Sequence, residues 1–288
     1  MPLTPVVLPA LHDGSDAASK EGQHWFIWAR AAQLTLLVVA AFSGLAVVMV
    51  GTYDVAGLAG LLAFTGVVFV QFLMSQHQPD RTWYDGRVAA ESVKHLAWRY
   101  AMRAAPFDDD AGVDGRFLKR VNDTLAEVKN LTVGAAGADQ ITDWMREVRA
   151  SALLERKAIY VTERIDDQRN WYRDRSKHNK AVGLRWRVAL YVVGAAGAAA
   201  GLAKFVGVVN VDLMGFAATA VAAVAAWSAI KQYDTLTLTY AFASQELASA
   251  HSAAAVAATD DDAWSTFVND TEDAISREHR SWRASRTG

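Results

Sequence analysis

Four long apolar runs, grouped in two pairs, alternate along the chain with stretches in which apolar side chains recur every three or four positions. The first pair is Ala31–Val50 and Val55–Leu73. Each is close to the ~20 residues needed to cross ~30 Å of hydrocarbon. The link between them, GTYD, is so short that the two must run antiparallel. The second pair is the uncharged stretch VALYVVGAAGAAAGLA (188–203) and FAATAVAAVAAWSAI (216–230), separated by KFVGVVNVDLMG. A helical hairpin buried in a soluble protein is the alternative for either pair, and the recurrence of the pattern favours the membrane.

The polar stretches read as helices. A charged helix from Leu153 to Arg187 leads without proline into the third apolar run, and would be roughly 50 Å long at ~1.5 Å per residue. Leu154, Ala158, Val161, Ile165, Gln168 and Tyr172 step along it by 4, 3, 4, 3, 4. This heptad-like seam serves as a coupling helix, with Gln168 as a polar register-setting residue. Tyr84, Val88, Glu91, His95, Trp98 and Met102 form a second stripe with the same steps. Pro106 and FDDDAGVDG then mark a loop. Phe117, Val121, Leu125 and Val128 share one face of a shorter helix. VGAAGADQ is a small-residue linker and ITDWMREVRAS a short helix. Partners for the long helix are Leu236, Tyr240, Ala243, Leu247 and Ala250, and the C-terminal stripe Trp264, Phe267, Thr271, Ile275, Glu278 and Trp282.

The expected architecture is all-α: an integral membrane protein with four transmembrane helices in two hairpins, continuing into a cytosolic helical bundle. Residues 1–20 are expected as a disordered tail, with helix from near Ser19. A first two-span unit with its exit helix occupies 21–105, connecting helices 106–150, and a second two-span unit 151–288. The halves carry a weak internal repeat. Each has an aromatic-basic approach (WFIWAR; LRWR), an apolar hairpin and a Tyr-Asp step (WYDGR; KQYDT).

Composition agrees with a chain divided between lipid and water: 52% hydrophobic, yet 21% charged. Several of the ten Trp and eight Tyr flank the apolar runs, as interfacial anchors do. The absence of cysteine rules out disulfides and thiolate metal sites. The opening MPLTPVVLPALHDGSD has three prolines and no basic segment, so it does not read as a signal peptide. Arg and Lys cluster beside one end of every apolar run, whereas the two hairpin tips hold only Lys204. By the positive-inside rule this places the polar helices and both termini in the cytoplasm, beneath the inner (plasma) membrane.

Candidate chemistry is sparse. GAAGAAAG (194–201) lies inside an apolar helix with no strand before it, so a dinucleotide loop is the weaker reading. Gly194, Gly197 and Gly201 read instead as span-packing residues. Asp54 and Asp212 at the tips, with Lys204, are pore-mouth candidates. In an oligomer the acids would form rings of the kind cation pores use; the plainer reading is solvated turn residues and, for Lys204, a snorkelling side chain. Thr35, Ser43, Thr65, Gln71, Thr219 and Ser228 are uncharged polar residues in the spans. No span carries a central ionisable group, which argues against a proton-coupled transporter. Glu91, on an otherwise apolar-aromatic stripe, is the candidate buried carboxylate, paired with Arg or Tyr. The histidines show no metal-ligand spacing, and no catalytic constellation or cofactor motif is present. The basic cluster 173–187 suits anionic lipid better than nucleic acid.

YVTERIDDQRNWYRDRSKHN entering a two-span hairpin, the exit KQYDTLTLTYAFASQELASA and the ending FVNDTEDAISREHRSWRA together resemble the bacterial DUF4231 group of the SLATT superfamily. WYDGRVAAESVKHLAWRYAMRAAPF, after the first hairpin, is similar to a related SLATT subtype. The resemblance covers nearly everything after residue 20. It implies a membrane effector, proposed to form pores in nucleotide-signalled or conflict-related systems such as antiphage defence. It brings no catalytic residues.

The expected function is therefore a homo-oligomeric channel or pore in the lipid bilayer, with inorganic cations as candidate permeants, gated by a cytosolic ligand or protein acting on the helical domain. The alternative is a non-conducting membrane scaffold that recruits partners through its cytosolic helices.

Overall fold

The computed structural model describes residues 5–128, 139–256 and 260–287, with side chains to Ala254 and, in the last segment, to Ser276. Helix dominates: α1 (Ala10–Ser43), α2 (Val55–His77), α3 (Pro79–Ala101), α4 (Val113–Glu127), α5 (Asp143–Ala150), α6 (Leu153–Ile159), a π-helical segment (Tyr160–Asp166), α7 (Asp167–Phe205), α8 (Leu213–Lys231), α9 (Tyr233–Val256) and α10 (Asp261–Thr287). Strands β1 (Met49–Val50) and β2 (Tyr53–Asp54) pair antiparallel, Met49 opposite Asp54. Most of the 133–140 linker, and the side chains of Glu278 and Trp282, lie outside the described residues.

Two compact units emerge, neither continuous in sequence. One comprises residues 1–23, 80–176 and 238–288; the other comprises 24–79 and 177–237. The first holds the aromatic core. Trp98, Tyr160 and Trp264 are wholly buried. Tyr160 meets Trp98 and Trp264 edge-on, at ring separations of 5.7 and 5.6 Å, the arrangement that the ring quadrupoles favour. Tyr172 and Tyr240 join α7 to α9 at 5.5 Å. Arg149 on α5 donates to the Tyr100 and Phe107 carbonyls and to Asp110, tying down the loop after α3.

The second unit holds the four apolar segments. Four helices are long and apolar enough to cross a membrane. In the most hydrophobic 18-residue window of the last, containing α8, 0% of the residues are buried by the protein. Within the first hairpin, Gln33 donates to Gln71 at 2.9 Å and accepts from Arg30 at 3.0 Å. Phe42 and Phe216 stack edge-on at 5.6 Å, joining α1 to α8.

Three expectations are corrected. The tail expected at 1–20 is helical from Ala10, because Leu11, Ser15 and Ser19 are buried on one face. A Cβ added to Gly86 on α3 would lie 2.8 Å from the Ser19 nitrogen and 2.9 Å from the Ser15 oxygen, so these helices touch backbone to backbone. The first span does not remain helical to Val50. It stops at Ser43, and the valine-rich run Val47–Val50 with Gly51 at φ 64° makes a small β-hairpin instead. The seam expected along 154–172 is broken. Leu154 is 79% exposed and Ala158 exposed, while Arg156, Ile159 and Tyr160 turn inward. The π segment, with its wider i→i+5 turn, rotates the buried face between its two flanks.

Candidate functional site

Asp54 and Asp212 occupy the same local position in the two hairpins: each is the N-cap of the descending helix. Asp54 accepts from the amides of Ala56 at 3.1 Å and Val48 at 3.2 Å. Asp212 accepts from Gly215 N at 3.4 Å. Capping satisfies amides that a helix start leaves without partners. Lys204 donates to Asp212 at 3.2 Å, and this hydrogen bond holds the carboxyl below its usual range. Lys204 and Asp212 are thus brought together, and Asp54 sits at the other tip.

Of the three span-packing glycines on α7, two face α8. A Cβ at Gly197 would lie 2.7 Å from the Ala217 Cβ, and one at Gly201 3.0 Å from the Met214 sulfur. Gly194 faces open space and takes no part in this seam. The first hairpin has its own close approaches. A Cβ at Gly60 would run into the Ser43 hydroxyl, and one at Gly66 would lie 3.1 Å from Leu36. The hydroxyls of Thr65 and Thr219 donate to carbonyls four residues back in their own helices, a habit of apolar helices.

Along the coupling helix, Ile165 and Tyr172 are buried, whereas Val161 and Gln168 are half-buried. Glu91 is half-buried as well. Among the described residues the wholly buried carboxylate is Glu272 on α10, 0% exposed. It accepts four hydrogen bonds. Oε1 takes Arg164 Nε and the Tyr160 hydroxyl, both at 2.9 Å. Oε2 takes Arg164 Nη2 at 2.7 Å and His95 Nδ1. A carboxylate only accepts, so His95 carries its proton on Nδ1. Burial alone would push the Glu272 carboxyl up. The bidentate Arg164 guanidinium, followed by His95, outweighs burial and holds it well below the usual carboxylate range. For His95 burial dominates and pushes the imidazole down. Arg164 and Tyr160 both lie in the π segment, and π turns recur at functional places in helices. Sequence reasoning missed Glu272 although it shares the inward stripe of Trp264, Val268 and Ile275. A carboxylate on a stripe bearing tryptophan was the available signal.

Both hairpins leave the apolar region through the same corner. Gln78 (φ 43°, ψ 53°) ends α2 and Gln232 (φ 52°, ψ 39°) ends α8, each left-handed, each donating its amide to the carbonyl four residues back. An acid follows in the next first turn, Asp80 or Asp234. The internal repeat is therefore in register at Gln-Pro-Asp and Gln-Tyr-Asp, not at the two Tyr-Asp steps. Left-handed backbone is uncommon outside glycine, so its use twice at matching corners marks the two hairpins as copies of one design.

This fold defines a predominantly helical, membrane-associated protein built from two tandem units, each with a pair of helices long and apolar enough to cross a membrane. Residues 9–157 match the SMODS and SLOG-associating 2TM effector domain 3, and residues 160–282 match the SMODS and SLOG-associating 2TM effector domain 1. The chain belongs to the SLATT family and carries two of its domains in tandem, with the junction where the π segment begins. Comparison with curated proteins and with solved structures returns no match.

Proposed function

We propose that this protein is a membrane effector whose hairpins assemble, copy against copy, into a cation-conducting pore, with both termini and the charged helices on the cytoplasmic side of the plasma membrane. The observation that carries this reading is the bareness of the spans. Glycine seams close each hairpin internally, yet 0–17% of the four apolar windows is buried by the chain itself. Lipid covers such surface, and so do further copies through small-residue faces. Acidic caps at both tips supply the charge for a selective mouth. The input is a cytosolic ligand or protein acting on the helical unit, and α7 carries both a buried seat, Tyr172, and the Gly197–Gly201 seam. A packed element with two arrangements would convert one into the other.

Ion flux from liposomes containing the purified full chain tests this, with Asp54→Asn and Asp212→Asn beside the parent. Cation flux is expected, and Asp54→Asn should reduce it more, because Lys204, 3.2 Å from Asp212, offsets part of the charge at that tip. Flux that both substitutions leave unchanged would retain the pore and remove the acidic mouth. An inserted oligomer that passes no ions would refute the pore and leave a scaffold that recruits partners.

A further inference from the structure

The corner at Gln232 forms one wall of a pocket of about 380 Å³ between α7 and the α8–α9 junction. That volume lies in the ~300–1,000 Å³ range of small-molecule sites. Gly183 opens the approach: a Cβ there would lie 3.0 Å from that of Tyr233, so α9 begins directly against α7. The apolar part of the lining is Trp186, Leu190 and Ala229, all on the helices of the spans. The rim is polar, with Arg187, Asp234, Gln232 and Thr235. Arg187 Nη2 donates to Asp234 Oδ1 at 2.8 Å, but the two side chains are 49% and 77% exposed. An exposed pair of this kind contributes little by itself and opens readily.

We propose that this pocket binds the headgroup of a phospholipid bearing a primary amine, as phosphatidylethanolamine does. The lipid phosphate sits on Arg187, the ammonium on Asp234, and the acyl chains follow Leu190 and Ala229 along the spans. The charges decide the class. One cation and one anion share the mouth, so a purely anionic headgroup meets the Asp234 carboxylate and a purely cationic ligand meets Arg187. A ligand carrying both charges replaces the protein's own pair with two charge-assisted contacts. A primary ammonium has three N–H donors, for Asp234 and the side-chain oxygens of Gln232 and Thr235. A quaternary ammonium has none. The position fits as well, because Lys231, whose Nζ lies 5.2 Å over the Trp227 ring, marks the basic-aromatic end of the span.

The inference rests on the hairpins lying in a bilayer. Its test is native mass spectrometry of the full chain in detergent, titrated with phosphatidylethanolamine, phosphatidylcholine and phosphatidylglycerol of identical acyl chains, alongside flotation of the protein with vesicles. Phosphatidylethanolamine should be retained roughly tenfold more tightly than either other lipid, the size expected for loss of one charge-assisted hydrogen bond. Arg187→Gln and Asp234→Asn should each abolish the preference while the variants still float. Equal retention of the three lipids, or a preference both variants keep, would overturn the proposal. So would a preference for phosphatidylglycerol removed by Arg187→Gln, which would make the site anionic. Retention of soluble phosphoethanolamine without the lipid would overturn the lipid assignment. A parent protein that fails to float would overturn the membrane reading with it, whereas flotation with equal binding refutes only this site.

Discussion

Replacing Glu272 with alanine is expected to be among the most damaging single changes in the helical unit. The side chain is 0% exposed and its partner Arg164 1% exposed, so the substitution strands a guanidinium in the core. Removing one partner of a buried ion pair costs ~3–5 kcal/mol, mostly the penalty of the uncompensated charge. The Tyr160 hydroxyl and the His95 Nδ1–H lose their acceptor in the same step. Against a total stability of ~5–15 kcal/mol this is a large fraction. At ~2–4 °C per kcal/mol for a unit of this size, the Tm should fall by about 6–20 °C. Trp98 and Trp264 pack on Tyr160, so intrinsic fluorescence during heating or urea titration of the detergent-solubilised chain reads out the event. The double change Arg164→Met with Glu272→Leu removes both charges. It leaves the tyrosine hydroxyl and imidazole N–H without their acceptor, at ~1–3 kcal/mol each, removes a long Arg164–Gln168 contact, and should be more stable than Glu272→Ala alone. A loss below about 1 kcal/mol for Glu272→Ala, or a double variant no better than the single, would refute the view that this network is a charge-neutral buried unit.

Other outcomes follow from the same geometry. Gly86→Ala should cost ~1–3 kcal/mol by overpacking, since the new methyl meets backbone of α1 that has no rotamer to yield; denaturant midpoints of the two proteins check this. Gly197→Val should loosen the second hairpin while Gly194→Val, which meets open space, leaves it intact, a contrast that cysteine cross-linking between α7 and α8 would read. Acid should destabilise the helical unit. Glu272 and His95 are both held below their ordinary values, so the folded state binds fewer protons than the unfolded one. Stability is therefore full above about pH 6.5 and falls below it, first through His95 and then, under about pH 4.5, through Glu272. Tm measured from pH 8 to 4 should drop monotonically, and a rise on acidification would contradict the assignment.

The apolar hairpins were legible because length and the absence of charge suffice to mark them, and the buried faces of α9 and α10 because Tyr240, Leu247, Trp264 and Ile275 keep a strict helical period. What escaped was everything that depends on small or charged residues in the core. Ser15 and Ser19 bury against a glycine, a contact made by backbone that leaves no hydrophobic signature. The π segment changes the helical period, so a seam projected through Tyr160–Asp166 from either side lands on the wrong face on the other. Glu272 is hydrophilic by any scale, and only its three partners, brought from sequence positions 95, 160 and 164, make its burial tolerable. Glu91, the odd residue on the α3 stripe, is half-buried and adds its negative charge to the surroundings of Arg164 and His95.

If the hairpins are the seats of the proposed ring, the matched Gln78 and Gln232 corners give one polypeptide two of them. A covalent tandem removes half of the association steps and fixes who sits beside whom. Any closed assembly then holds an even number of hairpins, and alternate seats are free to diverge. They have done so at the tips: Asp212 is paired with Lys204, whereas Asp54 accepts only backbone amides among the described residues. A ring of such chains would carry its bare negative charge at every second seat, with half the rotational order of its helices.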